Sequence, residues 1–363
     1  MNSKQSIPGY WTRFLLRLKH WEFWPTTLVY LPVILCYPYW ALRSGSLFFF
    51  ALVNPNMKMG GLYGGSKYDA LMELDKEDIP TTLLFAPSDT VGLVMETMKD
   101  MKLDFPIIVK PDLGERGKGV EKVSNLAHLE QIVAAVTSPF IVQEYIDLPF
   151  EAGVFYIRKP SEDKGMVTSV VVKGFLSIVG DGEQTIEQLA AKDKRAVLIW
   201  DSLMQCVKEH RNKILAKGQK LTLEPIGNHR RGTAFNDGRH LITDALIAET
   251  ERMAQSLPNF YYGRFDVRAE SEEAFRNGKT MRVMEVNGAN AEPAHIYQEG
   301  TPLLEGLTTL VKYWNMLYLI AKENKKNHAL PKFSDAWVVY RDWQNIKKEK
   351  LNAPMGDVSA KFI

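Results

Sequence analysis

The chain has 363 residues, and at about 150 residues per domain this length allows two to three domains with a large buried core. Apolar residues make up 45% and charged residues 24% of the chain, which is typical of folded proteins and excludes global disorder. The net charge of +2 gives no chain-wide basic field, so we expect no nucleic acid partner. The two cysteines, Cys36 and Cys206, are too few and too widely separated for a disulfide framework or a zinc site, so we expect a reducing, cytoplasmic compartment.

The first unusual segment runs over residues 23–42, which carry no formal charge. Its length is sufficient to span a bilayer. However, Pro25, Pro32 and Pro38 each remove a backbone donor and argue against one straight helix. A cleaved signal peptide is disfavoured because the apolar stretch starts late and no clear small-residue cleavage site follows it.

Just upstream, residues 10–21 place apolar side chains at spacings of three and four, namely Trp11, Phe14, Leu15, Leu18 and Trp21. This spacing predicts an amphipathic helix, and the basic residues among them are typical of helices that lie in a membrane interface. Three interpretations of residues 10–42 stay open: a buried core or subunit interface, monotopic or re-entrant membrane association, and a true membrane span.

Beyond these residues, strand and helix patterns alternate and predict a small α/β layer domain. We predict helices over 66–74, 89–101 and 126–136, and strands over 81–86, 106–110, 119–123 and 140–146.

A second, larger sheet domain is predicted for the remainder, up to about residue 320. Strand patterns cover 152–158, 166–179, 261–269 and 281–287, and helix patterns cover 186–192, 196–216 and 241–255. Residues 321–363 are rich in lysine and are predicted to form a solvated basic tail.

The first chemical signal is a lysine that ends a strand before a glycine-rich connection. Lys110 is followed by Gly114, Gly117 and Gly119. Bare backbone N–H groups in such a loop approach phosphate oxygens, while the lysine supplies positive charge. The spacing fits neither a Walker sequence nor G-x-G-x-x-G, so a plain turn is the alternative.

Two strand patterns near the C-terminus are more discriminating. The period of two puts Arg264, Asp266 and Arg268 on one face of a strand, and Glu285 and Asn287 on one face of the next. If the strands pair as a hairpin around 276–279, Asp266, Glu285 and Asn287 converge as oxygen ligands suited to Mg²⁺. The alternative is a set of charged residues on the wet face of a hairpin.

Together these motifs resemble the ATP-grasp superfamily over roughly residues 62–315. The resemblance also includes the segment Gln143-Glu144-Tyr145-Ile146, with Glu151 shortly after it. Within the superfamily, the chain is similar to D-alanine:D-alanine ligase and to the ligase domains of cyanophycin synthetase, whose G-D-G-x-x-T-I-x-x-L segment resembles residues 180–189. The resemblance implies an α/β (α+β) fold in which a lid subdomain over 61–146 and a C-terminal subdomain over 147–320 grip ATP.

The resemblance further implies individual roles. The ATP site would comprise two phosphate lysines, the loop glycines, the adenine segment and a ribose contact: Lys67, Lys110, Gly114, Gly117, Gly119, Gln143, Glu144, Tyr145, Ile146 and Glu151. Asp266, Glu285 and Asn287 match the ligands of Mg²⁺ or Mn²⁺. Arg264 matches the arginine that steadies the acyl phosphate, and with Lys110 it belongs to the catalytic set.

Further basic residues are candidates for substrate or phosphate contact. Residues 226–233 place His229 and Arg231 in a Gly-flanked loop suited to a carboxylate or phosphate, and we assign both to catalysis, with a surface loop as the alternative. Lys173 and Arg158 are additional candidates. The loop 288–297 is expected to border the acceptor site with Glu292 and His295.

The implied activity is an ATP- and Mg²⁺-dependent carboxylate–amine ligase that forms an amide or peptide bond through an acyl phosphate and releases ADP and phosphate. This chemistry needs positioning and charge neutralisation, which fits lysines, carboxylates and an arginine. Two alternatives stay open: a small-molecule or lipid kinase on the same fold, and a membrane-associated nucleotide-binding module.

The chain departs from the family pattern at its N-terminus, where an apolar segment of 60 residues stands in place of a Rossmann-like domain. We hypothesise that this segment contacts the inner face of the cytoplasmic membrane peripherally, or receives an apolar part of a substrate. One of the two substrates, the carboxylate or the amine, would then be amphiphilic. A homodimer is left open.

Overall fold

The computed structural model describes residues 9–114, 119–224 and 232–352, without the side chains of residue 206 and of residues 347–352. The α-helices in these residues are α1 (Tyr10–Lys19), α2 (Thr26–Val29), α3 (Leu31–Ser44), α4 (Lys67–Met72), α5 (Val91–Asp100), α6 (Leu126–Ala135), α7 (Ile186–Ala190), α8 (Lys194–Leu198), α9 (Trp200–Cys206), α10 (Asp244–Ser256), α11 (Glu272–Arg276), α12 (Leu303–Asn324) and α13 (Phe333–Asn352). The strands are β1 (Thr82–Phe85), β2 (Ile107–Pro111), β3 (Glu121–Val123), β4 (Phe140–Glu144), β5 (Phe150–Ile157), β6 (Met166–Gly174), β7 (Ser177–Val179), β8 (Lys220–Thr222), β9 (Ala234–Asp237), β10 (Tyr262–Ala269) and β11 (Arg282–Asn287).

The first sheet has four antiparallel strands in the order β1-β4-β2-β3, with α5 and α6 packed on one face. Each helix presents a pair of buried residues four apart, Val94 and Met98 on α5 and Leu129 and Val133 on α6. Residues four apart lie on the same face of a helix, so both pairs reach the sheet. These elements agree with the alternating pattern predicted for 66–146.

The second sheet has five antiparallel strands in the order β11-β10-β5-β6-β9. On β10, Phe265 and Val267 pack into the core beside α10, whereas Arg264, Asp266 and Arg268 face a cavity. The predicted alternation along this strand is therefore confirmed. The mixed helix and sheet architecture also confirms the predicted α/β fold class.

The helical region between β7 and β8 differs from the expectation. A helix was predicted over 196–216, but α8 and α9 are short and end at Cys206. The chain then turns back and extends alongside α7, where Ile186 N–H donates to the Lys213 carbonyl at 3.0 Å and Thr185 pairs with Ile214. The prediction of one long helix was wrong because the backbone after residue 206 is paired across to residues 185–187.

The N-terminal segment packs on α12 and on one end of the second sheet, where it shares a core with Phe155 and Tyr262. Trp21 Nε1–H donates to the Thr301 carbonyl at 2.7 Å. Asn54 is fully buried and makes four hydrogen bonds, to Gly60 and to the backbone of residues 261–262. Residues 9–60 are therefore packed as part of the folded body.

The uncharged segment 23–42 is divided between α2 and α3, which are separated at Tyr30, and Pro38 lies inside α3. Of the helices that the structure describes, none is both long enough and apolar enough to cross a bilayer.

Residues 321–363 were predicted to be a basic tail, but they contain the end of α12 and the helix α13. Phe333, Trp337 and Tyr340 recur along α13 at spacings of four and three and line the cavity. The prediction for this segment rested on its lysines and did not include this aromatic spacing.

Candidate functional site

A cavity of about 1100 Å³ lies between the two sheets. It brings together twelve of the predicted site residues: Lys67, Lys110, Gly114, Gln143, Tyr145, Ile146, Glu151, Lys173, Arg264, Asp266, Glu285 and Asn287. These residues come from both sheets and from α4, and they line one polar end of the cavity. The other end is apolar and is described below.

Lys110, on β2, is buried and lies at the centre of the polar end. Its Nζ donates to Gln143 Oε1 at 2.8 Å and to the Met284 carbonyl at 3.1 Å. Gln143 is itself held by Thr82, to whose Oγ1 its Nε2 donates at 2.9 Å. Burial lowers the pKa of Lys110 from 10.5 to about 8, although Glu285 and Asp266 partly offset this effect.

Lys67 is the first residue of α4, and the cap of that helix determines its position. Ser66 Oγ accepts a hydrogen bond from Asp69 N–H at 3.0 Å and donates to Asp112 Oδ1 at 2.9 Å. Asp112 Oδ1 also accepts from Tyr68 N–H at 2.9 Å. Lys67 Nζ then reaches Glu285 Oε1 at 3.1 Å.

Asp266 is held by two cations on the face of the second sheet. Arg264 Nε and a terminal nitrogen bind its two oxygens at 2.7 and 3.1 Å, and Lys173 Nζ lies 3.5 Å away. Burial raises the pKa of Asp266, but Arg264 and Lys173 outweigh it and hold that pKa at about 2. A Cβ at Gly153, on the neighbouring strand, would lie 2.9 Å from Arg264 Cδ, so glycine leaves the space for this pair.

Glu285 and Asn287 lie on β11 opposite the Asp266 strand. In the antiparallel register Asp266 faces Glu285, and Arg264 faces Asn287. The connection between the two strands contains α11, which the predicted tight hairpin lacked. Burial raises the pKa of Glu285, but Lys67 and Lys110 outweigh this effect and lower it below its usual range.

The three predicted metal ligands offer only oxygen donors of the kind that Mg²⁺ prefers. Asn287 Nδ2 is buried without a hydrogen-bond partner, so the amide oxygen of the same group is free to turn to a ligand in the cavity. Among the described residues, no group of three or more His, Cys, Asp or Glu could hold a metal ion. The set therefore fits a Mg²⁺ ion that shares its coordination with phosphate oxygens and water, and does not fit an all-carboxylate cage.

Glu151 connects two further cations at the same end. Its Oε1 accepts from Lys173 Nζ at 2.9 Å, and its Oε2 accepts from Arg268 Nε at 2.9 Å. Burial lowers the pKa of Lys173, but Asp266 and Glu151 outweigh this effect and raise it, so Lys173 stays charged. Arg268 also donates to the Ile146 carbonyl at 2.7 Å and so fixes the backbone of the predicted adenine segment.

Two further cavity residues were given no role on the basis of the sequence. Lys122, on β3, has its Nζ 3.7 Å from the centroid of the Tyr145 ring. Arg268, on β10, has its guanidinium 5.7 Å from the same centroid. The period of two along β10 already put Arg268 on the correct face, so that signal was available. Nothing in the sequence around Lys122 indicated its role.

The apolar end of the cavity is lined by the N-terminal segment, α12 and α13. Its aromatic residues include Trp24, Tyr30, Tyr37, Phe48, Phe50, Tyr63, Trp314, Phe333, Trp337, Tyr340 and Trp343. We call this region the aromatic chamber. At the boundary between the chamber and the polar end, Glu292 accepts hydrogen bonds from the hydroxyls of Tyr30 and Tyr297.

Some predicted residues are not brought into the cavity. The Glu144 carboxylate instead accepts from Thr81 N–H at 3.0 Å, and the Arg158 guanidinium stacks over Tyr261. His295 is buried with Nδ1 2.6 Å from Ser169 Oγ, and burial lowers its pKa to about 4. The proposed contacts of these three side chains with nucleotide or substrate are therefore not supported.

Gly119 is described with a positive φ of 70° but is not among the residues that line the cavity. The remaining predicted residues, Gly117, His229 and Arg231, lie outside the described residues.

Comparison with known families identifies the class of domain. Residues 66–157 match the model of the RimK-like ATP-grasp domain. This match confirms the ATP-grasp superfamily that the motifs predicted, and it covers α4, the whole first sheet and β5.

Comparisons with whole proteins give more distant similarities. A search of curated protein sequences gave no match. The chain is similar to the D-alanine–D-alanine ligase of Bacillus anthracis, at 14% identity over 75% of this chain and 72% of that one, with a TM-score of 0.42. It is also similar to a bifunctional glutathione synthetase of Pasteurella multocida, at 15% identity over 71% of this chain and a TM-score of 0.35, and it spans only 38% of that protein.

Proposed function

We propose that this protein is an ATP- and Mg²⁺-dependent carboxylate–amine ligase that works through an acyl phosphate. The observation that carries the proposal is the convergence of buried cations and of the Asp266, Glu285 and Asn287 oxygens in one cavity, next to a segment that matches an ATP-grasp domain. The residue types fit phosphoryl transfer, which depends on positioning and charge neutralisation.

The charge at the polar end favours a polyphosphate ligand. Among the described residues that line this end, six are basic and three are acidic: Lys67, Lys110, Lys122, Lys173, Arg264 and Arg268 against Glu151, Asp266 and Glu285. Lys67 and Lys110 would bind phosphate oxygens, and Tyr145, with the backbone of Ile146, would contact adenine. The cations that now hold Asp266 and Glu285 are close enough to exchange their carboxylate partners for phosphate.

Asp266, Glu285 and Asn287 would hold Mg²⁺. When bound, the ion supplies positive charge that neutralises the transferring phosphoryl group. Because Arg264 and Lys67 contact these same carboxylates, the chain keeps positive charge beside them before nucleotide binds.

The reaction has two steps. A carboxylate oxygen attacks the γ-phosphorus, the bond from that phosphorus to the β-bridging oxygen breaks, and ADP leaves. A neutral amine then attacks the acyl carbon, phosphate departs with the former carboxylate oxygen, and the nitrogen loses one proton to the phosphate. Arg264, next to both carboxylates, would stabilise the negative charge of the acyl phosphate and of the tetrahedral intermediate.

The test is turnover of Mg²⁺-ATP by the purified full chain with fractionated soluble metabolites and lipids, with and without hydroxylamine, read by mass spectrometry. ADP together with a trapped hydroxamate is the expected result and identifies the carboxylate. ADP with a phosphorylated product and no hydroxamate would indicate a kinase. Nucleotide binding without turnover in any fraction would favour a binding module and contradict the ligase proposal.

A further inference from the structure

We propose that the aromatic chamber receives the apolar body of the amine substrate and that Glu292 binds its ammonium group. This inference rests on the proposed ligase function and names the class of one substrate: a primary amine with a long alkyl or aromatic body.

The chamber is continuous with the phosphoryl-transfer end, because one cavity of about 1100 Å³ includes both. Its walls are rigid and closely packed aromatic rings. Trp314 stacks on Trp40 with ring centroids 6.4 Å apart, and Tyr63 lies 5.6 Å from Trp343. Such a wall offers a large apolar area for a ligand and few polar partners, so it selects an apolar body.

Glu292 is the polar group that distinguishes an amine from an acid at this position. Both of its oxygens accept hydrogen bonds, but from neutral tyrosine hydroxyls. Within the described part of the chain, no basic side chain lies within ion-pair distance of Glu292, although Arg264 is near enough to interact with its charge. Glu22, the other carboxylate near the chamber, lies 3.0 Å from His20. A half-buried carboxylate with neutral partners favours a cationic ligand and repels a second carboxylate.

The position of Glu292 also fits the order of the reaction. Glu292 lies five residues after the end of β11, the strand that carries Glu285 and Asn287. The loop between them is fixed to the N-terminal segment, where Ala289 N–H donates to the Gly60 carbonyl at 3.0 Å. An ammonium group at Glu292 would therefore be held between the chamber and the site of the acyl phosphate. Transfer of one proton from this group to the Glu292 carboxylate would give the neutral amine that attacks the acyl carbon.

The test uses defined probes: n-alkylamines from butylamine to decylamine, with alkanoates of equal length, titrated by calorimetry into the full chain with Mg²⁺ and a non-hydrolysable ATP analogue. We expect amine affinity to rise by about fourfold per added methylene until the chamber is filled. Amines should bind at least tenfold more tightly than the matching alkanoates, and Glu292→Gln should remove this preference. Equal binding of alkanoates, or affinity independent of chain length, would overturn the inference.

A matched pair of tryptophan variants tests the chamber without disturbing the core. Trp337 lines the chamber and is 53% exposed, whereas Trp11 is 71% exposed and lies on α1, away from the cavity. Trp337→Gln should weaken decylamine binding by about fivefold or more and leave butylamine unchanged, and Trp11→Gln should change neither. The ATP analogue is titrated separately, so failure of nucleotide binding would contradict the proposed function while the amine series still tests the chamber.

A separate observation carries a second inference: we infer that the outer face of α1, α2 and α3 lies against an anionic lipid bilayer. Two basic residues of α1 contact the neighbouring helices, since Arg13 binds Asp201 at 2.7 Å and Arg17 donates to the Leu198 carbonyl at 3.1 Å. The apolar side of α1 is exposed, which is the reverse of an ordinary surface helix. The exposed apolar residues of this face are Tyr10, Trp11, Phe14, Leu15, Leu18, Leu28, Leu31, Ile34, Leu35, Tyr39 and Leu42.

Charge favours a bilayer over a second copy of the chain as the partner of this face. Residues 9–66 contain five basic residues, Arg13, Arg17, Lys19, Arg43 and Lys58, and one acidic residue, Glu22. Arg13 is paired with Asp201 and Lys58 lies outside α1–α3, so Arg17, Lys19 and Arg43 are the basic residues that remain beside this face. Two copies of the face would repel each other, whereas anionic headgroups would attract it.

The test is co-sedimentation of the full chain with vesicles of phosphatidylcholine, with and without phosphatidylglycerol. Binding should require the anionic lipid and weaken at high salt. The double variant L35Q/L42Q should reduce binding at least fivefold, whereas L84Q/M101Q, on the first sheet and its helix, should not. Protein that stays in the supernatant with every vesicle, or a stable dimer in light scattering that L35Q/L42Q dissociates, would overturn the inference.

Discussion

Lys110 is enclosed by protein, and its environment leads to a prediction about the pH dependence of stability and activity. Its pKa is lowered by burial from 10.5 to about 8. Between about pH 8 and pH 10.5 the unfolded chain binds more protons at Lys110 than the folded chain does. The contribution of Lys110 to the free energy of unfolding therefore rises with pH over this range. The effect on activity has the opposite sign, because neutral Lys110 supplies no charge to a phosphate.

We therefore expect kcat/KM for ATP to fall as the pH rises above about 8, approaching tenfold per pH unit. The measurement is a pH profile from 7 to 9.5. Lys110→Arg, whose guanidinium stays protonated throughout this range, should give a flat profile even if its activity is lower. A wild-type profile that is flat to pH 9.5 would show that loss of the Lys110 charge does not affect activity. Lys110 would then not be the residue whose charge neutralises the phosphate.

Glu285 gives a second prediction at the same scale. Glu285→Gln keeps the shape of the side chain but removes the charge that lies 3.1 Å from Lys67 and faces Asp266. We expect ADP production to fall by about a hundredfold or more and the Mg²⁺ concentration for half-maximal activity to rise. The control is Glu121→Gln, which removes a carboxylate 3.2 Å from His128, outside the cavity. Normal turnover in Glu285→Gln would refute the metal assignment.

At the residue scale, the sequence predicted those side chains whose position follows from local geometry. Arg264, Asp266 and Glu285 were correctly grouped because a strand alternates its side chains whatever the tertiary contacts. The contact of the Glu144 carboxylate with Thr81 N–H could not be predicted, because it spans 63 residues of chain and no local pattern reveals it.

At the scale of elements, the cap of α4 links stability to nucleotide binding. Ser66→Ala removes the hydrogen bonds to Asp69 and Asp112, which we expect to lower the free energy of unfolding by about 1 kcal/mol. Because Lys67 begins the same helix, KM for ATP should rise severalfold. Denaturant unfolding and steady-state kinetics measure the two effects.

The matched control for Ser66 is Asn125, which caps α6 by accepting from His128 N–H at 3.0 Å on the far side of the first sheet. Asn125→Ala should cost a similar stability and leave KM unchanged. If both variants shift KM equally, the cap of α4 has no special role in positioning Lys67.

Elements with strong local patterns were predicted well, and elements formed by distant pairing were not. The helices and strands of the first sheet follow from spacing and caps such as Thr90 and Asn125. The break after Cys206 depends on backbone pairing with residues 185–187, which lie far away in the sequence. The aromatic chamber combines Trp24 with Trp343, and no periodicity connects positions that far apart.

At the scale of the whole molecule, the proposed nucleotide site joins the two sheets. Lys110 and Gln143 come from the first sheet, and Asp266 and Glu285 come from the second. A bound Mg²⁺-nucleotide would therefore stabilise both sheets at once. At a nucleotide concentration of one hundred times Kd, the free energy of unfolding would rise by about 2.7 kcal/mol.

The prediction is one thermal transition that moves to higher temperature as a whole with Mg²⁺ and a non-hydrolysable ATP analogue. Scanning calorimetry measures it, and Glu285→Gln should show a smaller Mg²⁺-dependent shift. Two transitions, of which only one moves, would show that the nucleotide contacts a single sheet.

The N-terminal segment shares its core with α12 and the second sheet, and this bears on whether the segment could be removed. Trp40 Nε1–H donates to Asn315 at 3.1 Å, Asn324 donates to the Leu52 carbonyl at 2.8 Å, and Asn54 is bonded to strand β10. A variant that lacks residues 9–60 would uncover α12 and would leave Asn315 and Asn324 without these partners. Any replacement of residues 9–60 would therefore need compensating changes on the face of α12 that they cover.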